Sequence, residues 1–193
     1  MIKLQNVACV TRFFDVAFSL FGLFFGFPLL VLLWVMGWLD NGSPLFRQER
    51  VGRYQKPFIL VKFRTMRPNT LSVATHLAEP SAVTELGVVL RRTKLDELPQ
   101  LWNVLKGEMS LVGPRPCLFN QHELIAERES RGVFDARPGI TGLAQINGVD
   151  MSTPKQLAEV DAVMLKEMNM LAYFMYIFKT VVGSGRGDRI KPL

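Results

Sequence analysis

Histidine and cysteine are nearly absent, with two of each among 193 residues. His76 and His122 stand apart from one another and from any cysteine pair at zinc-ligand spacing, which removes a zinc centre and makes imidazole a poor basis for the chemistry. There is no Ser-His-Asp arrangement, no dinucleotide glycine fingerprint and no internal repeat. Cys9 and Cys117 are too isolated for a metal or redox motif and read as free thiols in a reducing compartment. Charge is also missing from one long stretch. From Val16 to Leu39 no residue is charged, although charged residues make up 21% of the chain.

That stretch is rich in Phe, Leu, Val and Trp and exceeds the roughly 20 apolar residues a membrane helix needs. It raises the hydrophobic share of the chain to 49%, high for a soluble domain of this size, and it marks a membrane protein. It is longer than the apolar core of a secretory signal and no small-x-small cleavage site follows, so it is expected to remain as an anchor. Pro28 falls near its middle, where a missing N–H and a clash with the preceding turn kink or break a helix, and Gly22 and Gly26 loosen the same region. A kinked spanning helix satisfies this pattern as well. The flanks favour another path. Lys3 and Arg12 precede the run, and Arg47, Arg50, Arg53, Lys56, Lys62 and Arg64 follow it, so both ends carry the positive charge expected of the cytoplasmic side. A helix–break–helix that enters and leaves one leaflet satisfies both ends, with Arg12 and Asp15 pairing at the interface.

The net charge of +6 suits a negative partner, whether nucleic acid, anionic lipid or a phosphorylated substrate, and does not choose among them. Residues 91–100, running Arg-Arg-Thr-Lys-Leu-Asp-Glu-Leu-Pro-Gln, do more. Leu98, Leu101, Trp102 and Leu105 follow helical spacing and Gly107 is a natural stop, so Asp96 and Glu97 are expected at a helix entrance, where orphan N–H groups favour anions. Helix capping alone explains an Asp-Glu pair. Arg91, Arg92 and Lys94 alongside suggest more, because adjacent carboxylates repel unless a cation intervenes. Mg²⁺ takes one or two carboxylates plus phosphate oxygens, which leaves a neighbouring carboxylate able to attack phosphorus.

Phe58 to Phe63 is a β-favouring run expected as a short strand. Residues 68–81 read as a surface loop with His76 on it, and a helical pattern begins at Val83. Gly113-Pro114-Arg115-Pro116 holds one arginine stiffly, a geometry suited to bidentate phosphate recognition as well as to an ordinary turn. Arg137-Pro138-Gly139-Ile140-Thr141-Gly142-Leu143-Ala144-Gln145 is a second rigid segment, preceded by a charge-rich helical stretch over 122–131. Thr153-Pro154 starts a helix with Leu157, Val160 and Met164 on one face and Asp161 as a solvated neighbour. The apolar stretch from Met168 to Val182, interrupted by Asn169, Tyr173, Tyr176 and Lys179, is too short to span. It reads as a helix in the headgroup plane or as core packing.

Four motifs, taken together and in order, resemble those of the bacterial sugar transferases, the monotopic polyprenol-phosphate phosphoglycosyl transferases. They are Phe46-Arg47-Gln48-Glu49-Arg50-Val51-Gly52, Lys62-Phe63-Arg64-Thr65-Met66, the run from Leu90 through Asp96-Glu97 to Pro116, and the segment from Arg137 to Gln145. The resemblance implies a membrane enzyme of the bacterial inner membrane, working on its cytoplasmic face. It would move a sugar-1-phosphate from a UDP-sugar to undecaprenyl phosphate, release UMP and initiate a surface glycan. It implies Asp96 as the nucleophile of a covalent phospho-sugar intermediate, Glu97 and Asp96 as Mg²⁺ ligands, and Lys62, Arg91, Arg115 and Gln145 as substrate or phosphate contacts. Asp161 matches a family aspartate, here without the aromatic that often follows it. Phe27 precedes Pro28 where the family has serine.

The expected fold is therefore α+β and mostly helical. It has a re-entrant anchor over 1–40, a cytosolic catalytic domain over 41–182 with short strands and interfacial amphipathic helices, and a flexible basic tail over 183–193. The partners expected are the UDP-sugar, undecaprenyl phosphate and membrane lipids but no nucleic acid, with self-association left open. The sugar is not legible. Two rival functions share the same residues: a membrane-tethered scaffold that recruits anionic lipid, and a Mg²⁺-dependent phosphohydrolase with water as acceptor.

Overall fold

A computed structural model describes residues 2–68 and 80–183. His76, with most of the loop expected around it, and the tail from Ser184 onward lie outside the described residues.

Among the described residues the fold is mostly helical with two small sheets. Helix α1 spans Ile2–Asn41 and contains Pro28. The expected division into two helices is corrected here: the chain stays helical through Pro28. A proline deletes one N–H and crowds one carbonyl, and in a helix of 40 residues the rest of the ladder persists on both sides. It is the one helix among the described residues long and apolar enough to cross a membrane, and most of its surface is exposed.

Strand β1, Leu45–Val51, pairs antiparallel with β2, Pro57–Phe63, in a register that sets Phe46 opposite Lys62. β2 contains the predicted strand, whereas β1 went unpredicted. Helix α2, Glu85–Thr93, starts at Thr84, whose hydroxyl accepts from the Gly87 N–H, and fulfils the helical pattern seen from Val83. Helix α3, Gln100–Lys106, ends at Gly107, whose φ of +83° is the left-handed conformation that glycine adopts without penalty. Strand β3, Ser110–Val112, lies parallel to β4, Gly139–Thr141. These two strands touch at glycines: a Cβ on Gly139 would lie 2.0 Å from the Gly113 nitrogen, so only a bare backbone fits.

Helices α4, His122–Ser130, α5, Leu143–Ile146, and α6, Pro154–Glu167, form a second packed layer with a core of Val51, Cys117, Leu124, Ala144, Leu157 and Ala158. Helix α7, Met170–Val181, has two characters. Tyr173 and Tyr176 enter the main core with Phe58, Leu60, Val104, Met109 and Met164, while Leu171, Phe178 and Val181 point outward from an apolar face. Phe174 of α7 meets Phe14 and Phe18 of α1 edge-on, with ring centroids 5.0 and 6.2 Å apart, which joins the exposed apolar faces of the two helices.

Helix α1 lies along the domain over most of its length. Arg12 donates to the carbonyls of Val104 and Leu105 at the end of α3, at 2.6 and 3.0 Å. Gly22 is close enough to Leu101 that a Cβ would meet its methyl at 2.9 Å. Leu33, with Leu30 beside it, packs in a cluster with Phe63, Leu90, Leu95 and Leu98. At the far end, Gly37 faces Pro44. Arg12 and Asp15 do not pair as expected, because each is drawn to the domain instead.

Candidate active site

Asp96 and Glu97 lie on a separate 3₁₀ turn, Leu95–Glu97, ahead of α3. This corrects the expected position at the α3 entrance: the backbone N–H groups of Leu101 and Trp102 are taken by the carbonyls of Leu98 and Pro99. The turn is set by Lys94, whose φ of +59° ends α2 and redirects the chain. A non-glycine residue held there costs roughly 1–3 kcal/mol, strain of a kind that gathers at working sites. Its apolar neighbours, Leu95 and Leu98, pack against the cluster that Leu33 of α1 forms with Phe63 of β2 and Leu90 of α2, which ties the acidic turn to α1 through shared core residues.

Asp96 is buried, and a carboxylate oxygen of Glu97 lies 3.3 Å from a guanidinium nitrogen of Arg115. Lys94 is close to both Glu97 and Arg115. Burial pushes the Lys94 ammonium below its ordinary range, with Glu97 opposing that shift and Arg115 reinforcing it. The Arg91 side chain donates to the Thr65 hydroxyl at 2.8 Å, which ties the last turn of α2 to the chain leaving β2. The Lys62 ammonium lies 5.7 Å from the Phe46 ring centroid, and the Arg64 guanidinium 5.5 Å from it. Asn103 is fully buried and bridges α3 to β2, donating to the Ile59 carbonyl and accepting from the Val61 N–H at 2.7 and 3.1 Å.

The Arg115 loop is gripped from beneath at three successive carbonyls. The Arg128 guanidinium donates to the Arg115 carbonyl at 2.8 Å, Arg50 to that of Pro116 at 3.1 Å, and the Val51 N–H to that of Cys117 at 2.9 Å. Arg128 also donates twice to one Asp161 oxygen, at 3.0 and 2.7 Å, in a pair almost wholly withdrawn from solvent. The expectation of a solvated Asp161 is thereby corrected: it is 1% exposed. Burial raises its carboxyl above the usual range, and Arg128 pulls the other way. Burial likewise lifts the Cys117 thiol, consistent with an inert packed cysteine.

Glu97 and Arg115 are thus in direct contact, with Asp96 beside them on the turn. Asp161 reaches this group only through Arg128 and the main chain. Gln145 bonds within its own segment, its amide donating to the Ile140 carbonyl at 2.9 Å. Sequence reasoning missed Arg128, Arg50 and Asn103. For Arg128 there was a faint sign: it falls four residues after Leu124, on the face of α4 that turns inward.

The donor set also tests the fit of a metal. Among the described residues no three acidic, histidine or cysteine side chains gather, while Asp96 and Glu97 supply two adjacent carboxylates. That is too few for an all-protein cage and fits Mg²⁺, which binds through one or two carboxylates and completes its shell with phosphate oxygens and water.

The arrangement defines a membrane-associated domain whose site joins paired carboxylates to a clamped arginine. The chain belongs to the bacterial sugar transferase family, whose model matches residues 6–186. It is 40% identical over 151 residues to an uncharacterized sugar transferase, EpsL, of Bacillus subtilis, covering 78% of this chain and 74% of that protein. It is 38% identical over 154 residues to the undecaprenyl-phosphate galactose phosphotransferase of Salmonella typhimurium, covering 71% of this chain and 32% of that one. With the UDP-glucose:undecaprenyl-phosphate glucose-1-phosphate transferase of Caulobacter vibrioides it shares 44% identity over 127 residues, or 63% and 48% of the two chains. The chain therefore spans a third to a half of the length of these two named transferases.

Proposed function

We propose that this protein is a phosphoglycosyl transferase that moves a sugar-1-phosphate from a UDP-sugar to undecaprenyl phosphate, the initiating step of a surface glycan. The carrying observation is the buried Asp96 on a strained turn, with Glu97 held by Arg115 and the turn's leucines packed in the cluster that Leu33 of α1 shares with Phe63 and Leu90. In the first step an Asp96 carboxylate oxygen bonds to the sugar-bearing phosphorus, the bond to the bridging oxygen breaks, and UMP leaves with the electron pair. In the second, the lipid phosphate oxygen attacks that phosphorus and Asp96 is regenerated. Two half-reactions let a soluble donor and a membrane-bound acceptor use one site in turn. Arg115, supported by Arg128, and Arg91 with Lys62 supply positive charge for the phosphates. Mg²⁺, held by Glu97 and Asp96, would neutralise diphosphate charge.

The docking of α1 supports an anchor that, bent at Pro28 while remaining one helix, enters and leaves the cytoplasmic leaflet. Its early part, through Arg12, and its late part, through Leu33 and Gly37, hold one and the same polar domain. A spanning helix would carry one of these contacts across the bilayer. On this reading the anchor holds the acidic turn at the height of a lipid phosphate, so part of the orientation cost is met before the acceptor arrives.

The test is intact mass spectrometry of the full chain with a panel of UDP-sugars and no lipid acceptor. A sugar-phosphate adduct on Asp96, absent in Asp96→Asn, is the expected result, with UMP release in that variant reduced on the order of 10⁴-fold or more. Normal turnover by Asp96→Asn refutes the nucleophile. Free sugar phosphate formed at one rate with and without lipid indicates a hydrolase, and membrane binding without turnover by the native chain indicates a scaffold.

A further inference from the structure

Asp15 is a carboxylate on the membrane helix that the proposed chemistry does not use. It is 2% exposed, and its Oδ1 accepts three hydrogen bonds, from the Ser110 hydroxyl at 3.0 Å, the Leu111 N–H at 2.9 Å and the Tyr173 hydroxyl at 2.9 Å. Ser110 and Leu111 open β3, from whose end at Val112 the chain runs through Gly113 and Pro114 to Arg115. One turn earlier on the same helix, Arg12 holds the last carbonyls of α3, the helix that follows the Asp96–Glu97 turn. Two charged side chains of α1 thus hold the two elements that carry the two sides of the site, and their contacts lie at the ends of those elements away from it.

We infer that Asp15 is a positioning residue: by fixing β3 against α1 and α7 it sets where Arg115 stands relative to Glu97, while Arg12 fixes α3 in the same frame. The inference rests on the reading of Asp96, Glu97 and Arg115 as the reacting site. Burying a carboxylate at the edge of the uncharged run that begins at Val16 is costly, and one apolar residue there would pack more cheaply. A cluster of three donors, none of them on α1, spends that cost on locating β3. The Glu97–Arg115 separation of 3.3 Å leaves little slack, since a misplacement of about 1 Å in a reacting site lowers rate by up to roughly 100-fold.

The experiment uses the full chain in lipid nanodiscs, with undecaprenyl phosphate and whichever member of a panel of UDP-hexoses and UDP-N-acetylhexosamines releases UMP fastest. Asp15→Leu is expected to lower kcat by about 10- to 100-fold while the donor KM moves less than about threefold. Asp15→Asn keeps an Oδ1 acceptor and is expected to recover most of that loss. A double-mutant cycle separates positioning from bulk destabilisation: in an Arg115→Lys background, Asp15→Leu is expected to add little. Tyr173→Phe removes one donor without changing shape, and carries the same cycle should Asp15→Leu fail to fold. Hydrogen exchange at the Leu111 amide is expected to rise in both variants. An unchanged kcat, or an equal loss with and without Arg115→Lys, overturns the inference. If Arg115→Lys by itself leaves turnover untouched, the site reading fails and the inference falls with it.

Discussion

Arg128→Met is the most informative single change, because it deletes one partner of a buried charge pair and one support of the Arg115 loop together. The guanidinium makes three hydrogen bonds, two to Asp161 and one to the Arg115 carbonyl. Methionine fills similar volume and restores none of them. Removing one partner of a buried ion pair leaves the other charge uncompensated and costs about 3–5 kcal/mol. For a domain of this size that corresponds to a fall in Tm of roughly 6–20 °C. Asp161 also gives the loss a pH signature. Its carboxyl is raised by burial and held back by Arg128, so without Arg128 it rises further. A folded value above the unfolded one of about 3.9 means that the stability Asp161 contributes is complete below that pH and lost as pH rises through the raised value. The deficit of Arg128→Met should therefore be smaller at acidic pH than at pH 8, where the lone carboxylate must ionise in the core. Thermal unfolding in detergent across that range, with Arg128→Met/Asp161→Leu alongside, measures both effects. The double variant should recover much of the stability, since a well-packed apolar pair avoids desolvation, but not the activity, since the Arg115 carbonyl stays unsupported. Refutation would be a loss under about 1 kcal/mol, or a deficit that grows as pH falls.

Three further outcomes follow from other parts of the molecule. Gly139→Ala puts a Cβ 2.0 Å from the Gly113 backbone nitrogen, where nothing flexible can yield, and should cost about 3 kcal/mol or more together with most activity; near-native unfolding would show the two strands to be farther apart. Single cysteines introduced at Gln5 and at Ser43, with Cys9 replaced, should be labelled from the same side of sealed vesicles, whereas opposite-side labelling would establish a spanning helix. Chelation should abolish UMP release and added Mg²⁺ restore it; turnover that survives excess chelator would remove the metal from the site.

Local signals made much of the framework readable. The apolar run, the helix stopped by Gly107, the strand at Phe58 to Phe63 and the Thr153-Pro154 start are each encoded by neighbouring residues, and each appears in the structure. The three-residue strands β3 and β4 are too short for any alternation to register, and they exist because two glycines let their backbones meet. The acidic pair was found by motif, yet its own 3₁₀ turn was not, because a left-handed lysine leaves no compositional trace.

Charged residues mark the divide most clearly. Composition and spacing determined that this chain has a long uncharged helix, a carboxylate pair in basic surroundings and a stiffly held arginine, since burial preference and turn chemistry act residue by residue. Only tertiary structure decided that Asp161 meets Arg128 across 33 positions, and that Asp15 meets Leu111 across 96 and Tyr173 across 158. Such contacts are properties of pairs. An aspartate destined for a solvated face and one destined for a buried triple acceptor look alike in a linear sequence, and the donors that distinguish them come from strands and helices brought near by packing alone.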